Sequence, residues 1–464
     1  MKTVRKSGIL LHITSLPGPY GIGELGPEAK KFVDILADMG QQVWQVLPVG
    51  PTSYGDSPYQ SLSSFAGNPL FISFDFLIKD DLLSACNIAS FPSFHPGKVE
   101  YGPLIFERLA ILKTVCQTFF KRASNHKRKG FEAFCKKEAY WLEDYALFMA
   151  LKDAHQGRPW TEWSEGLAFR DPDTLCRARK QFETSIQNVK IMQYLFHSQW
   201  ERLHAHCRSK KIKSIGNLPL FVAHDSADVW SNPHLFFLDH RRYPTVVGGV
   251  PPDYFSKTGQ RWGNPLYDWT VHEKTRFLWW TQRLRKSLER VDILRINHFR
   301  GFESYWEIPA NQKTAIRGKW IKAPGRLLLK KLKKEFGPLP MIAENLGVIT
   351  KEAEALRHEF GFPDIKVLQF LVTKKNQSTR ALANQVPESC VIYTGTHNND
   401  TIAGWQHKHG KKCTATPWDY IEYVMNTRAH TSIFPLQGIM ELGSSARMNF
   451  PGRKRGNWQW RFTW

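Results

Sequence analysis

Short apolar runs recur along the chain and alternate with amphipathic stretches. The runs are rich in Ile, Leu and Val, and their unbroken apolar character is typical of strands covered on both faces. At 464 residues the chain is long enough for one large barrel with insertions, and the alternation predicts an α/β fold with a parallel sheet. The runs cover residues 8–12, 42–49, 214–222, 292–299, 340–346, 365–370, 390–394 and, with a weaker pattern, 431–435.

Two amphipathic stretches have clear helix boundaries. Residues 27–39 begin with a proline, carry apolar side chains on one face, and are followed by Gly40. Residues 325–336 can direct three leucines to one inward face, and Gly337 follows them. Both stretches are therefore predicted to be helices between strands.

Two longer segments interrupt this alternation. Residues 71–213, between the second and third predicted strands, are rich in helical patterns and tryptophan, and they predict a helical insertion packed on the barrel. Residues 230–270 are rich in glycine and proline, which indicates loop structure. Long loops in barrels usually serve the active site.

Polar side chains follow three of the predicted strands at the same end. Asn297 lies near the end of the fourth run, Glu344 lies near the end of the fifth, and residues 396–401 follow the seventh. In barrel enzymes the functional residues collect at the carboxyl ends of the strands. Three such strand ends predict an active site on that face.

One of these side chains suits glycoside chemistry. Retaining glycosidases place two carboxyl groups about 5 Å apart, one as nucleophile and one as acid/base, and neighbouring barrel strands can supply that separation. Glu344 is the acid/base candidate because Ala343 and Leu346 beside it indicate partial burial. The alternative is a surface glutamate at a strand end.

Composition limits the class of protein. Apolar residues make up 42% of the chain, enough for a large core, and no run reaches the ~18 apolar residues of a membrane span. The apolar stretch near the N-terminus is too short for a signal peptide. The seven cysteines are scattered without a C-x-x-C pair, so we expect free thiols in a reducing cytoplasm.

The chain is strongly basic, with a net charge of +22 and a pI near 9.6. This charge raises a nucleic-acid-binding hypothesis. The densest basic run, residues 121–129, lies in a helical region without a zinc-finger, RNP or homeodomain pattern, so we expect a solvated face and no nucleic acid partner. His407, His409 and Cys413 are too few for a metal site, and no phosphate or dinucleotide motif occurs, so neither metal nor cofactor is predicted.

Longer motifs carry a family resemblance. The sequence resembles the amylomaltases, the 4-α-glucanotransferase family of the α-amylase clan, over essentially the whole chain. The resemblance implies a single (β/α)8 TIM-type barrel over residues 1–464, with helical insertions. The matching segments are residues 15–17, 20–23, 57–60, 66–69, 225–230, 249–255, 259–265, 435–437, 446–449 and 456–458.

The resemblance also implies an activity. Members of this family transfer a segment of an α-1,4-glucan to a new 4-hydroxyl by a retaining double displacement, so the implied partners are malto-oligosaccharides and other α-1,4-glucans. In the family motifs the nucleophile position falls on Asn297 and the acid/base on Glu344. The carboxylate that stabilises the transition state falls on Asn398.

Six further positions are implied to bind substrate. Arg295 and His397 should flank the reacting sugar, and Tyr59 should stack beneath it. The region 230–270 resembles the acceptor-groove loop of the family. Its expected contacts are Asp253, Gln260 and Trp262.

The match breaks at four aspartate positions, which are Asn217, Asn297, Asn345 and Asn398 here. Because an amide is nearly isosteric with a carboxylate, the fold should tolerate these changes. A neutral amide is a poor nucleophile and cannot offset the charge of an oxocarbenium ion, so we expect severely impaired turnover. The alternative is a non-catalytic α-glucan-binding protein on the same scaffold.

Three origins of the amides are compatible with the sequence. The chain can be a natural relative that binds glucan, or a sequence altered to trap substrate, and both remain open. Deamidation of Asn297 after synthesis is the least favoured, because His298 rather than glycine follows it.

Overall fold

Twelve strands are present in the computed structural model, which describes residues 5–253, 256–347, 349–372, 386–409, 415–453 and 455–464. In chain order they are β1 (Lys6–Leu10), β2 (Val43–Gln45), β3 (Lys213–Leu218), β4 (Val246–Val250), β5 (Gln260–Pro265), β6 (Ile293–Ile296), β7 (Ser304–Pro309), β8 (Lys319–Lys322), β9 (Met341–Ala343), β10 (Asp364–Val367), β11 (Cys390–Tyr393) and β12 (Thr431–Pro435).

Eight of these strands form a closed parallel barrel in the order β1-β2-β3-β6-β9-β10-β11-β12, with β12 pairing back to β1. The predicted (β/α)8 barrel is therefore confirmed. Strands β2, β9 and β11 are buried along their whole length, and the sequences of β9 and β11 are apolar throughout, as burial on both faces favours. The pairing of β3 with β6 sets Asn217 opposite Arg295, which positions two polar residues at one rim.

Helices separate the barrel strands. The predicted helix at 27–39 is Pro27–Asp38, with proline in its first turn, and the one predicted at 325–336 is Gly325–Phe336. Helix Leu278–Arg290 packs on β3 and β6. The other described α-helices outside the segment between β2 and β3 are Ala227–Ser231, Trp269–Lys274, Lys351–Glu359, Leu368–Leu371, Ile402–His409, Pro417–Met425 and Leu436–Ile439.

The segment between β2 and β3 is mainly helical. Its longest helix, Asn125–Ala154, begins with a Ser124 side chain that accepts from the Lys127 backbone N–H, and it packs against Glu183–Ser209 and Ala227–Ser231. Among the described residues, no helix is long and apolar enough to cross a membrane. The remaining helices of this segment are Phe74–Lys79, Ala85–Ile88, Tyr101–Arg122, Glu165–Ala168 and Pro172–Gln181.

Two elements differ from the sequence-based expectation. The region 230–270 contains β4 and β5, which join β7 and β8 in a four-stranded antiparallel sheet of order β5-β4-β7-β8. Its glycines and prolines indicated only loops, but β4 pairs with the neighbouring β5 and, far along the chain, with β7. The predicted strand 365–370 is wrong in its second half, because residues Leu368–Leu371 form a helical turn. Short buried apolar runs do not distinguish the two structures.

Candidate active site

The carboxyl ends of β6 and β9 bring Asn297 and Glu344 into contact. The backbone N–H of Asn297 donates to the Leu218 carbonyl at 3.0 Å, and that of Glu344 donates to the Ile296 carbonyl at 3.0 Å. Both residues therefore continue the barrel hydrogen bonds beyond their strands. Their side chains meet there, with Asn297 Nδ2 donating to Glu344 Oε2 at 2.7 Å.

The chain leaves β6 abruptly after Asn297. His298 has a left-handed backbone, with φ of 53°, and the turn Phe299–Phe302 follows it. The N–H of Phe299 donates to the Glu344 carbonyl at 3.0 Å, which ties the turn to the end of β9. Positive φ is uncommon for histidine, and here it directs the chain away from the barrel while the Asn297 side chain stays at the rim.

Arg295 supplies a second donor to Glu344. Its Nη2 lies 3.1 Å from Glu344 Oε2, the same oxygen that Asn297 contacts. Burial opposes the charged form of the guanidinium, but Glu344, Tyr393 and Tyr59 together outweigh burial and raise the pKa of Arg295. Two donors thus converge on one oxygen and hold the carboxyl group in a fixed orientation.

A second polar group joins three strand ends. Tyr59, in the loop after β2, has its Oη 2.8 Å from Nε2 of His397, which follows β11. Asn217 on β3 donates from Nδ2 to the same Oη at 2.7 Å. The rings of Tyr59 and His397 stack at a centroid distance of 5.2 Å and an angle of 16°. Stacking and hydrogen bonding together fix the tyrosine ring at the rim.

The aromatic and imidazole groups at this rim are neutral near neutral pH. Burial, with the positive charge of Arg295, lowers the pKa of His397 well below its ordinary value. Burial also lowers the pKa of His12 to about 3 and raises the pKa of Tyr393 to about 12. Neutral hydrogen-bonding groups of this kind are typical of sites that bind uncharged polar ligands.

Asn398 faces a different set of partners. Its Oδ1 accepts from Asn449 Nδ2 at 2.6 Å, and its backbone carbonyl accepts from Arg447 Nη2 at 2.6 Å. Both partners belong to the segment 446–449, one of the matching motifs. The end of β11 is therefore tied to the C-terminal part of the chain.

The three residues expected in the acceptor-groove loop lie on or before β5. The Trp262 ring is edge-on to His298 at 5.0 Å and 87°, beside the end of β6. Its Nε1 donates to Gln260 Oε1 at 3.2 Å. Asp253 Oδ1 accepts from the Ser256 N–H at 2.8 Å. Tyr254 and Phe255 of the same motif lie outside the described residues.

The sequence did not indicate three further residues of this site, Trp458, His12 and Asn217, as ligand contacts. Trp458 lies 5.8 Å from the Tyr59 ring and 6.0 Å from that of His397, and its place in the motif 456–458 was the available signal. His12 was included only as the last residue of the first predicted strand, although a polar residue there repeats the pattern of the other strand ends. Asn217 was noted as a departure, without a contact.

Metal ligands were also considered from sequence. Within the described ranges, no group of three or more His, Cys, Asp or Glu side chains is arranged to hold a metal ion. Of the cluster His407, His409 and Cys413, the cysteine and the His409 side chain lie outside the described residues. Asn345, the remaining family departure, donates from Nδ2 to Glu354.

Comparisons with known proteins identify the family of this chain. A family model described as 4-alpha-glucanotransferase matches residues 11–464. The chain is 47% identical to a 4-alpha-glucanotransferase of Thermus thermophilus over 480 aligned positions, covering 99% of this chain and 95% of that one. It is 43% identical to the enzyme of Synechocystis sp., covering 99% and 94%.

Solved structures agree as well. The structure of an amylomaltase from Streptococcus agalactiae in complex with acarbose superposes with a TM-score of 0.93 at 36% identity, over 99% of this chain and 95% of that one. An amylomaltase from Corynebacterium glutamicum, at 16% identity and a TM-score of 0.77 over 98% of this chain and 71% of its own, shares the fold. The chain therefore belongs to the 4-α-glucanotransferase (amylomaltase) family of enzymes that act on α-glucans.

Proposed function

We propose that the rim formed by β6, β9 and β11 binds α-1,4-glucans such as malto-oligosaccharides, and that this chain transfers glucan segments only very slowly. The observation that carries the proposal is the contact between Asn297 and Glu344. An amide nitrogen, rather than a second carboxylate, lies 2.7 Å from the glutamate.

Glu344 is the proposed acid/base. It is the carboxyl group at the end of β9, and its side chain is 14% exposed, which leaves it reachable from the cleft. Arg295 and Asn297 orient it through Oε2. A group held in this way can deliver a proton to a glycosidic oxygen, the first half of a retaining reaction.

Asn297 occupies the proposed nucleophile position but lacks the required chemistry. A covalent glucosyl intermediate needs an anionic oxygen that donates an electron pair to the anomeric carbon as the leaving oxygen takes the proton. The nitrogen of the Asn297 amide already donates to Glu344, and its oxygen is uncharged. Loss of a nucleophile in other enzymes costs on the order of 10⁴ to 10⁶ in rate.

Asn398 is the proposed stabiliser position. Its oxygen accepts a hydrogen bond from Asn449, and it carries no charge to balance a sugar cation. Two losses within one site affect the same transition state, so their effects on rate should not simply add.

Glucan binding does not require these charges. Tyr59, His397 and Trp458 present aromatic and neutral polar surface, which binds sugars by stacking and hydrogen bonds. The S. agalactiae relative was solved with acarbose, which supports a similar ligand for this cleft. Trp262 with Gln260 and Asp253 is the proposed acceptor-groove region. A purely binding role on this scaffold is the second candidate, favoured by the four amides.

Product analysis with maltotriose tests the proposal. Protein whose mass confirms the Asn297 amide should bind maltotriose by calorimetry yet release almost no glucose or longer chains. Restoring both carboxylates, in N297D/N398D, should raise transfer by about 10⁴-fold or more. The matched control is N311D, which adds a charge at an exposed asparagine.

The outcomes separate the candidates. Rapid transfer by the chain with intact amides would contradict the proposed impairment. Binding that persists while N297D/N398D stays inactive would favour the non-catalytic role. Absence of binding in both proteins would mean that the glucan site is misplaced.

A further inference from the structure

Asn217, Tyr59 and His397 form a hydrogen-bonded chain across three strand ends. Asn217 Nδ2 lies 2.7 Å from Tyr59 Oη, and the same Oη lies 2.8 Å from His397 Nε2. Asn217 and His397 are both at most 7% exposed. Tyr59 between them is half-buried, and each of the two hydrogen bonds must have one donor and one acceptor.

The direction of each hydrogen bond follows from which of the three side chains carries a hydrogen to donate. An amide nitrogen only donates, so Tyr59 Oη accepts from Asn217. The tyrosine hydroxyl has a single hydrogen, and among the described residues Oη has no hydrogen-bond partner other than Asn217 and His397, so the hydroxyl donates to His397. Nε2 of His397 must consequently present a lone pair.

The imidazole of His397 has one hydrogen left to place. Burial and the nearby Arg295 lower its pKa well below the ordinary value, so the ring is neutral near neutral pH. A neutral ring has one N–H, and with Nε2 accepting, that N–H is on Nδ1. Nδ1 is buried and has no hydrogen-bond partner among the described residues.

We infer that Asn217 is a positioning residue that sets the tautomer of His397 through Tyr59 and makes Nδ1 the protonated nitrogen. A carboxylate at residue 217, as in the family motif, accepts only. Tyr59 would then donate to residue 217 and accept from His397, which would move the imidazole proton to Nε2. An amide in place of a carboxylate at residue 217 thus reverses both hydrogen bonds between Asn217, Tyr59 and His397.

The neighbouring charge explains why the amide nitrogen faces Tyr59. Arg295 is the in-register partner of Asn217 on β6, and its Nε and Nη1 have no acceptor in the part of the chain that the structure describes. In-register residues of neighbouring strands project to the same face of the sheet. A cation on that side favours the amide oxygen toward it and the nitrogen away from it, toward Tyr59.

The tautomer decides which ligand atom His397 can serve. With the proton on Nδ1, this nitrogen, which has no partner among the described residues, can donate to an acceptor such as a sugar hydroxyl or ring oxygen. This consequence rests on the proposed glucan site. The tautomer itself does not, because it follows from contacts within the unliganded protein.

Nitrogen NMR of the imidazole tests the tautomer directly. Protein labelled with ¹⁵N-histidine is compared with H397Q, which identifies the His397 signals. In the unsubstituted protein we expect Nδ1 at a protonated and Nε2 at an unprotonated chemical shift. In N217D the two should exchange. Y59F and the double variant Y59F/N217D should show the same tautomer as each other, because the hydroxyl that couples residue 217 to His397 is gone. N311D, an exposed asparagine, is the matched control.

Two results would overturn the inference: an unsubstituted protein with the proton on Nε2, or an N217D protein that folds and retains the Nδ1 proton. If N217D fails to fold, the Nδ1 proton should still be present in the unsubstituted protein and less favoured in Y59F, which lacks the donor to Nε2. Adding maltotriose should shift the Nδ1–H resonance. Calorimetry that detects no maltotriose binding would contradict the proposed function and leave the tautomer result standing.

Discussion

Asn297 at the end of β6 and Asn398 after β11 are both amides where the family motifs predict aspartate, but the groups around the two side chains differ. At residue 297 the amide donates to the Glu344 carboxylate at 2.7 Å. At residue 398 the amide oxygen accepts from Asn449 at 2.6 Å, and Arg447 contacts the same residue. A carboxylate restored at 297 would face another carboxylate, whereas one restored at 398 would meet donors and a cation.

This difference shows that isosteric substitutions are not equivalent in energy. Paired carboxylates repel each other, and active sites retain them because the chemistry requires both. Replacing one by an amide exchanges that repulsion for a charge-assisted hydrogen bond. An amide at residue 297, the proposed nucleophile position, should therefore stabilise the end of β6, whereas the amide at residue 398 should not stabilise the end of β11.

Restoring one carboxylate at a time has the largest expected effect and tests whether residue 297 or residue 398 limits catalysis. N297D alone should raise transfer from maltotriose by about 10⁴-fold or more, because it restores the nucleophile. N398D alone should change it little, because no covalent intermediate can form. Glucose release measures both. A larger gain in transfer from N398D than from N297D would contradict the proposal that residue 297 limits catalysis.

Acid should act through the buried imidazoles near the end of β11. Because the folded pKa values of His12 and His397 lie below the ordinary 6.5, their contribution to stability is present above about pH 6.5 and is lost as pH falls. With a pKa of about 3, His12 alone should cost on the order of 3 kcal/mol between pH 6.5 and pH 4.

Urea unfolding at several pH values measures this loss. H12Q should show a weaker dependence on pH than the unsubstituted protein, whatever its stability at neutral pH. H240Q, at an exposed histidine, is the control and should keep the pH dependence of the unsubstituted protein. An unchanged pH dependence in H12Q would mean that this imidazole is not the acid-sensitive group.

Stability measurements at neutral pH sharpen the comparison itself. N297D should lower the free energy of unfolding by about 2 kcal/mol, because a charge-assisted hydrogen bond is replaced by carboxylate repulsion. N398D should leave it unchanged or raise it by less than about 1 kcal/mol. Urea denaturation distinguishes these signs, and equal losses in both variants would contradict the opposite surroundings.

Asn345 provides the smallest expected effect. Its amide also donates to a carboxylate, that of Glu354, but the Glu354 side chain is 36% exposed against 14% for Glu344. Arg357, 2.7 Å from Glu354, further reduces the repulsion that N345D would create. The loss should be less than about 1 kcal/mol after solvent screening. A loss as large as that of N297D would show that exposure does not set the cost.

Much of the architecture could be predicted because it is encoded locally. Unbroken apolar runs marked the barrel strands, and proline and glycine marked the ends of helices such as Gly325–Phe336. The polar residues after β6, β9 and β11 indicated the functional face. The antiparallel sheet around β4 was not predicted because its strands are short and its glycines and prolines are typical of loops, which leaves little local periodicity.

The sequence by itself determined the barrel, the strand ends that carry the polar residues, and the amides at four family aspartate positions. Only the tertiary structure decided which atoms meet: the Asn297 nitrogen at Glu344, the Asn398 oxygen at Asn449, and Tyr59 between two strand ends, 338 residues from His397 along the chain. Residue types define donors and acceptors. Their pairing depends on barrel closure and strand register, which are properties of the whole chain.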